Sequence, residues 1–150
     1  MTTTHNEIFI AAPPSAIYRY ACATERWPEI LPHYRFVRVL EDRGLSRIVE
    51  MGARRNWIPV RWVAEQTNNP DRPHIRFRHV AGWTRGMDVE WIFEPVDGGT
   101  RVVIDHRLHF RFPFAAEFLG KWVVGDFFVG NIAGKTLARM KELVEAESRA

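Results

Sequence analysis

The chain has 150 residues, 46% of them hydrophobic and 13% aromatic, which suffices for one domain with a sizeable core and leaves aromatic mass over to line a cavity. Its formal net charge is +3, and its 18 Arg mostly alternate with apolar residues in the manner of a solvated sheet face; no basic run or nucleic-acid motif occurs, so nucleic acid is excluded as a partner. The lone Cys22 excludes an internal disulfide and a multi-cysteine zinc site and fits a reducing, cytoplasmic setting; neither a signal-peptide pattern nor an apolar run of about 18 residues is present.

Residues 5–11, rich in Ile and Phe, predict a first strand that stops at Pro13-Pro14-Ser15, where a helix starts and runs to Ala23. Thr24 is placed to cap a second short helix through Trp27-Pro28-Glu29-Ile30-Leu31, closed by Pro32. From His33 the period becomes two. Strands are predicted over 33–41, 46–54, 57–67, 74–80, 84–95 and 100–110, joined by Asp42-Arg43-Gly44, Arg54-Arg55-Asn56, Asn68 to Pro73, Ala81-Gly82 and Asp97-Gly98-Gly99.

Alternation assigns the faces of three strands. Val102, Ile104, His106 and Leu108 point inward, as do Met87, Val89, Trp91 and Phe93, and Val60, Trp62, Ala64 and Gln66. Arginines and carboxylates take the outer face, where they can pair across strands. The last third, 114–147, reads as one long helix. Phe118, Trp122, Val129, Ile132, Thr136, Met140 and Leu143 share one stripe of it, and Lys121, Lys135, Arg139 and Glu142 lie opposite. At ~1.5 Å per residue a straight helix of that length would be roughly 50 Å long, so a bend is expected among Gly120, Gly125, Gly130 and Gly134.

The order β-α-α-β6-α resembles the helix-grip fold of the START/Bet v 1-like (SRPBCC) superfamily, and within it the polyketide cyclase/dehydrase branch. The resemblance rests on Ala12-Pro13-Pro14, Trp27-Pro28-Glu29-Ile30-Leu31-Pro32-His33-Tyr34, Val37-Arg38-Val39-Leu40, Val60-Arg61-Trp62, Trp91-Ile92-Phe93-Glu94-Pro95 ahead of Gly98-Gly99-Thr100-Arg101-Val102, and Leu137 to Glu145. It implies an α+β domain spanning residues 1–150, with a curved seven-stranded antiparallel sheet around a long C-terminal helix and a cavity between them. In the aromatase/cyclases of this branch such a cavity folds a poly-β-keto chain held on an acyl carrier protein. Trp27, Tyr34, Trp62 and Trp91 match aromatic positions of that pocket, and His106 matches a polar one. Gln66 stands where the cyclases have an arginine that orients the polyketide, and Gly82-Trp83-Thr84 replaces their Gly-Pro-Phe. Gln66 can donate a hydrogen bond but supplies no fixed positive charge.

Three uses of this scaffold follow. The first is binding of a polyketide-, lipid- or quinone-like molecule as a carrier, since Trp27 to Pro32 is similar to a Tyr-Pro-Glu-Phe-Leu-Pro segment of ubiquinone-binding relatives. The second is aromatase/cyclase or dehydrase catalysis, with His106, Tyr34 and Gln66 as candidate catalytic groups. The third is a protein-interaction module. The expected ligand-binding residues are Trp27, Tyr34, Trp62, Gln66, Met87, Val89, Trp91, Phe93, Ile104, His106, Leu108, Phe118, Trp122 and Val129. A buried histidine with one structural hydrogen bond is the competing reading of His106, and ordinary core packing that of each Trp. No nucleophile with an adjacent base, phosphate loop or histidine pair at helical spacing occurs, so no metal or cofactor is expected. His74 and His79 can approach one another only through strand geometry.

In an up-and-down meander alternate turns emerge at one end. Pro32, Arg54, Arg55, Trp57, Trp83, Phe112 and Phe114 therefore form a basic, aromatic cavity mouth, suited to an acyl carrier protein or a membrane surface. Val124, Phe127 and Phe128 leave an apolar patch beside it that predicts a homodimer or a membrane contact.

Overall fold

In the computed structural model, which describes residues 2–55, 58–82, 84–108 and 132–149, seven antiparallel strands form one open sheet in the order β1-β7-β6-β5-β4-β3-β2. The strands are β1 (Thr2–Ile10), β2 (Tyr34–Asp42), β3 (Ser46–Arg55), β4 (Ile58–Asn69), β5 (His74–Gly82), β6 (Asp88–Val96) and β7 (Gly99–Leu108). Between β1 and β2 lie helix α1 (Pro14–Cys22), a 3-10 turn (Thr24–Arg26) and α2 (Trp27–Ile30), and helix α3 (Gly134–Arg149) closes the chain. This is the β-α-α-β6-α order expected from the sequence, the helix-grip order that the resemblance implies. Strand β1 pairs with β7 from Thr2↔Leu108 to Ile10↔Thr100, so the first and second strands are the sheet's two edges.

The inward faces read from alternation are observed: Trp62, Ala64 and Gln66, Met87, Val89, Trp91 and Phe93, and Val102, Ile104, His106 and Leu108 are buried, while Val60 is half-buried. The outer face is laced by cross-strand ion pairs, among them Glu50 with both Arg38 and Arg61, Asp88 with Arg76, and Glu90 with Arg107. Pairs with an exposed partner, as Arg38, Arg61, Arg76 and Arg107 are here, are worth a fraction of a kcal/mol to about 1 each, so they set register more than stability.

Three expectations change. The strand predicted from residue 84 begins at Asp88, because 84–87 fold into a turn. Gly82, at φ +100°, starts that turn, and Gly86 N–H and Met87 N–H donate to the carbonyls of His79 and Thr84. A β-carbon at Gly82 would lie 2.9 Å from the Arg61 carbonyl oxygen, so both backbone angle and space demand glycine there. Thr24 does not cap a helix; its hydroxyl donates instead to Gln66 Oε1 at 2.7 Å, drawn away by a partner in β4. Along α3 and the two residues before it the buried stripe is Ile132, Ala133, Thr136, Leu137, Met140 and Val144, with Leu143 only half-buried. The helix is turned toward its Leu137 and Val144 side, which leaves Leu143 at the stripe's edge.

Helix α3 is fastened at both ends. Lys141 Nζ donates to the Phe9 carbonyl at 2.7 Å, Glu145 accepts from Ala11 N–H at 2.9 Å, and Glu147 accepts from Arg19 and Tyr20 of α1. Near its start Arg139 Nε donates to the Ile30 carbonyl at 3.1 Å, tying α3 to α2. The predicted positions from 114 to 131 of the long helix, including Gly120, Gly125 and Gly130, lie outside the described residues, as does the patch of Val124, Phe127 and Phe128. No described helix is long and apolar enough to cross a membrane.

Candidate functional site

The curved sheet and α3 enclose a space lined by one or two inward residues from each of several elements. Helix α2 contributes Trp27, β2 Tyr34, β3 Met51, β4 Trp62, β5 Phe77 and His79, β6 Val89 and Trp91, β7 Ile104 and His106, α3 Thr136, and the segment just before α3 Ile132 and Ala133. The rings form a connected cage. Trp27 meets Tyr34 edge-on at 5.0 Å and Trp91 at 5.8 Å, Tyr34 meets Trp62 at 6.1 Å, and Trp62 stacks on His79 at 5.6 Å with 11° between planes. Trp27 is held by a hydrogen bond from its indole N–H to the Tyr20 carbonyl. The enclosed volume is about 40 Å³. That is well below the roughly 300–1,000 Å³ of small-molecule sites, so a ligand of even one ring requires the wall to part.

The cage has no charged lining residue among those described. Its polar groups are hydroxyls and imidazoles that burial keeps neutral: His106 is pushed down to about 4 and His79 to about 3, the second helped by its neighbour His106, while the Tyr34 hydroxyl is pushed up by burial. His79 Nδ1 shares a 2.6 Å hydrogen bond with Thr84 Oγ1, which comes from the turn that Gly82 starts. Sequence reading assigned His79 no ligand contact. The alternation Ile75, Phe77, His79 against Arg76, Arg78, Val80 carried the signal, since the first three share the inner face.

Of the residues expected to touch ligand, Trp27, Tyr34, Trp62, Val89, Trp91, Ile104 and His106 come together around this space. Gln66, Met87, Phe93 and Leu108 are buried but are not among the lining residues. Phe93 turns toward α1, where Tyr18 meets it edge-on at 5.8 Å. Gln66 shares the inner face but sits under α1, with its amide fully engaged. Its Nε2 donates to the Cys22 carbonyl at 2.8 Å and to Asn68 Oδ1 at 2.9 Å, and its Oε1 accepts from Thr24. Arg47, its partner across β3 and β4, donates to Thr24 Oγ1 at 2.8 Å and pairs with Glu25. Gln66 therefore locks α1 and the 3-10 turn onto the sheet, and it does not line the cavity. Phe118, Trp122 and Val129 lie outside the described residues.

At the predicted mouth, Arg54 N–H donates to the His33 carbonyl at 2.8 Å, so the ends of β3 and of the α2–β2 connection do meet. They line a cleft of about 410 Å³ together with Pro32, Lys135 and Arg139. Arg55 closes β3 with its side chain undescribed, and Trp57, Trp83, Phe112 and Phe114 lie outside the described residues. No set of three metal-ligating side chains gathers among the described residues.

The family model for polyketide cyclase/dehydrase and lipid transport matches residues 10–141. A granaticin polyketide synthase bifunctional cyclase/dehydratase of Streptomyces violaceoruber is 31% identical over 103 residues, covering 67% of this chain and 32% of its own, so the chain spans about a third of that relative. A Streptomyces cyaneus protein, a polyketide cyclase by name, is 32% identical over 102 residues, covering 66% of this chain and 67% of its own. A Thermus thermophilus crystal structure is similar at TM-score 0.82 and 25% identity, covering 98% of this chain and 99% of that one. The aromatase/cyclase of Streptomyces sp. R1128 shares the fold at TM-score 0.83 and 19% identity, covering 99% and 96%. With a sheet and helix of the same arrangement, and a sequence match running over most of its length, the chain belongs to the polyketide cyclase/dehydrase and lipid transport family.

Proposed function

We propose that the protein binds a hydrophobic, polyketide-like molecule bearing carbonyl or phenol groups between the sheet and α3, as a binding or carrier protein. The observation that carries this reading is the chemistry of the wall. Five aromatic rings (Trp27, Tyr34, Trp62, Phe77 and Trp91) offer faces and edges to a flat apolar body, and two imidazoles and a phenol offer uncharged hydrogen bonds to its oxygens. A described lining without charge holds a neutral guest without stranding an ion in low dielectric.

Holding is favoured over turnover by the same groups. A general base works best with a pKa near the working pH, whereas His106 at about 4 and His79 at about 3 are weak bases at pH 7. With Gln66 engaged under α1, no described residue of the cavity supplies a fixed positive charge for a developing enolate. Cyclisation or dehydration is the second reading, and the names of the 31% and 32% identical relatives favour it.

The two readings part on His106. Affinity for a synthetic poly-β-ketone, and the rate at which it cyclises, are measured on wild type, His106→Ala and His106→Gln. Binding alone predicts an affinity loss worth one hydrogen bond, about 0.5–1.5 kcal/mol, largely restored by Gln, with cyclisation at the uncatalysed rate throughout. Product above background in wild type that drops by roughly 10²–10⁴ in His106→Ala would establish the enzyme instead.

A further inference from the structure

The cleft beside the cavity gathers three cations from β3 and α3, two of them answered by no carboxylate among the described residues. Over the described surface most arginines are matched to a carboxylate, as in Arg38 and Arg61 with Glu50 or Arg101 with Glu94. Arg54 and Lys135, which both line the cleft, enter no ion pair among the described residues. The third cation, Arg139, is held in place by the Ile30 carbonyl and by Glu142 at 3.0 Å. Among the described residues, three positive side chains against one carboxylate leave an excess of about two charges around one concave surface.

The cleft adjoins the cavity. His33 lines the former, Thr136 the latter, and they are joined by a 2.9 Å hydrogen bond. Because the Thr136 hydroxyl donates its own proton to the Ile132 carbonyl at 2.7 Å, it accepts from His33, which therefore carries its proton on Nε2. A molecule lying in the aromatic cage would have one end at this bond, with Lys135, next to Thr136 on α3, and Arg54 just beyond it.

We infer that the cleft of Arg54, Lys135 and Arg139 binds the phosphate-ester head of the ligand whose apolar body occupies the aromatic cavity. The charge count selects phosphate: a monoester carries about −1.5 to −2 at pH 7 and matches the excess, whereas a carboxylate would leave half of it unanswered. The inference rests on the cavity-binding reading and adds the chemistry of the ligand's polar end.

The test compares a naphthylalkyl phosphate with the corresponding naphthylalkyl alcohol, by calorimetry and tryptophan quenching. Wild type is expected to bind the phosphate roughly tenfold more tightly at low salt, and the ratio should shrink toward one in molar salt and in Arg54→Gln/Lys135→Gln. Both residues are exposed, so the variant should fold. Equal affinities in wild type, or a ratio untouched by the double variant, overturn the inference while leaving cavity binding intact. Failure of both probes to bind overturns the two together. If the protein instead binds vesicles containing phosphatidic acid through Arg54 and Lys135 without preferring the soluble phosphate, the cleft is a membrane contact and the inference fails.

Discussion

Acidification from pH 7 to pH 5 should cost this protein much of its stability, because His79 and His106 are buried neutral. Each takes up a proton freely in the unfolded chain near pH 6.5, but in the fold only near 3 and 4 respectively. Their folded values lie below the unfolded one, so as pH falls through 6.5 the unfolded state binds protons that the folded state refuses, and stability drops. At pH 5 the unfolded imidazoles are almost fully protonated and the folded ones almost wholly neutral, a difference of roughly 2 kcal/mol per residue and about 4 for the pair relative to pH 7. That is a large share of a typical 5–15 kcal/mol. His33, lowered to about 4 by burial and by Lys135, acts in the same direction. His5 opposes it, its imidazolium favoured by Glu7 and Asp105, but it is half exposed. The assay is urea unfolding at pH 7, 6 and 5 on wild type and on His79→Gln/His106→Gln. A wild-type change under about 1 kcal/mol, or an equal slope in the double variant, would refute the reasoning.

Two further outcomes concern the supports of the site. Gln66→Leu should destabilise the fold by about 2–4 kcal/mol, because Thr24, Arg47 and the Cys22 carbonyl all lose a partner in a buried network, yet ligand preference should hardly move; a large shift in preference with little loss of stability in urea titration would put Gln66 back in the cavity. Gly82→Ala should cost about 1–3 kcal/mol through its positive φ and the nearby Arg61 carbonyl, and should loosen the turn that brings Thr84 to His79. Unchanged stability together with an unchanged His79 imidazole spectrum by NMR would count against that account.

The sheet was legible because its inner and outer residues differ in kind. Trp91 and Phe93 alternate with Glu90 and Glu94, and His106 and Leu108 with Asp105 and Arg107, so period two gave strand, face and neighbour together. What local pattern could not give was position along a curved face. Gln66 shares a face with Trp62, but four residues along β4 carry it from the cage to the underside of α1, where Thr24 and Cys22 claim its amide. The same long-range bond removed Thr24 from its expected cap, since its partner lies 42 residues away. Lys135 and Arg139 read as the solvated side of an amphipathic helix, and only the packing of α3 against α2 shows that they face Arg54 across a cleft.

The central claim is that the aromatic cage opens to hold an apolar guest. Calorimetric titration of 2-naphthol at several temperatures tests it most directly, with tryptophan emission followed in parallel. The account predicts one site per chain, a negative heat-capacity change from apolar burial, quenched emission, and weaker binding in Trp91→Ala. No saturable binding, or binding that leaves emission unchanged and is indifferent to Trp91→Ala, would contradict it.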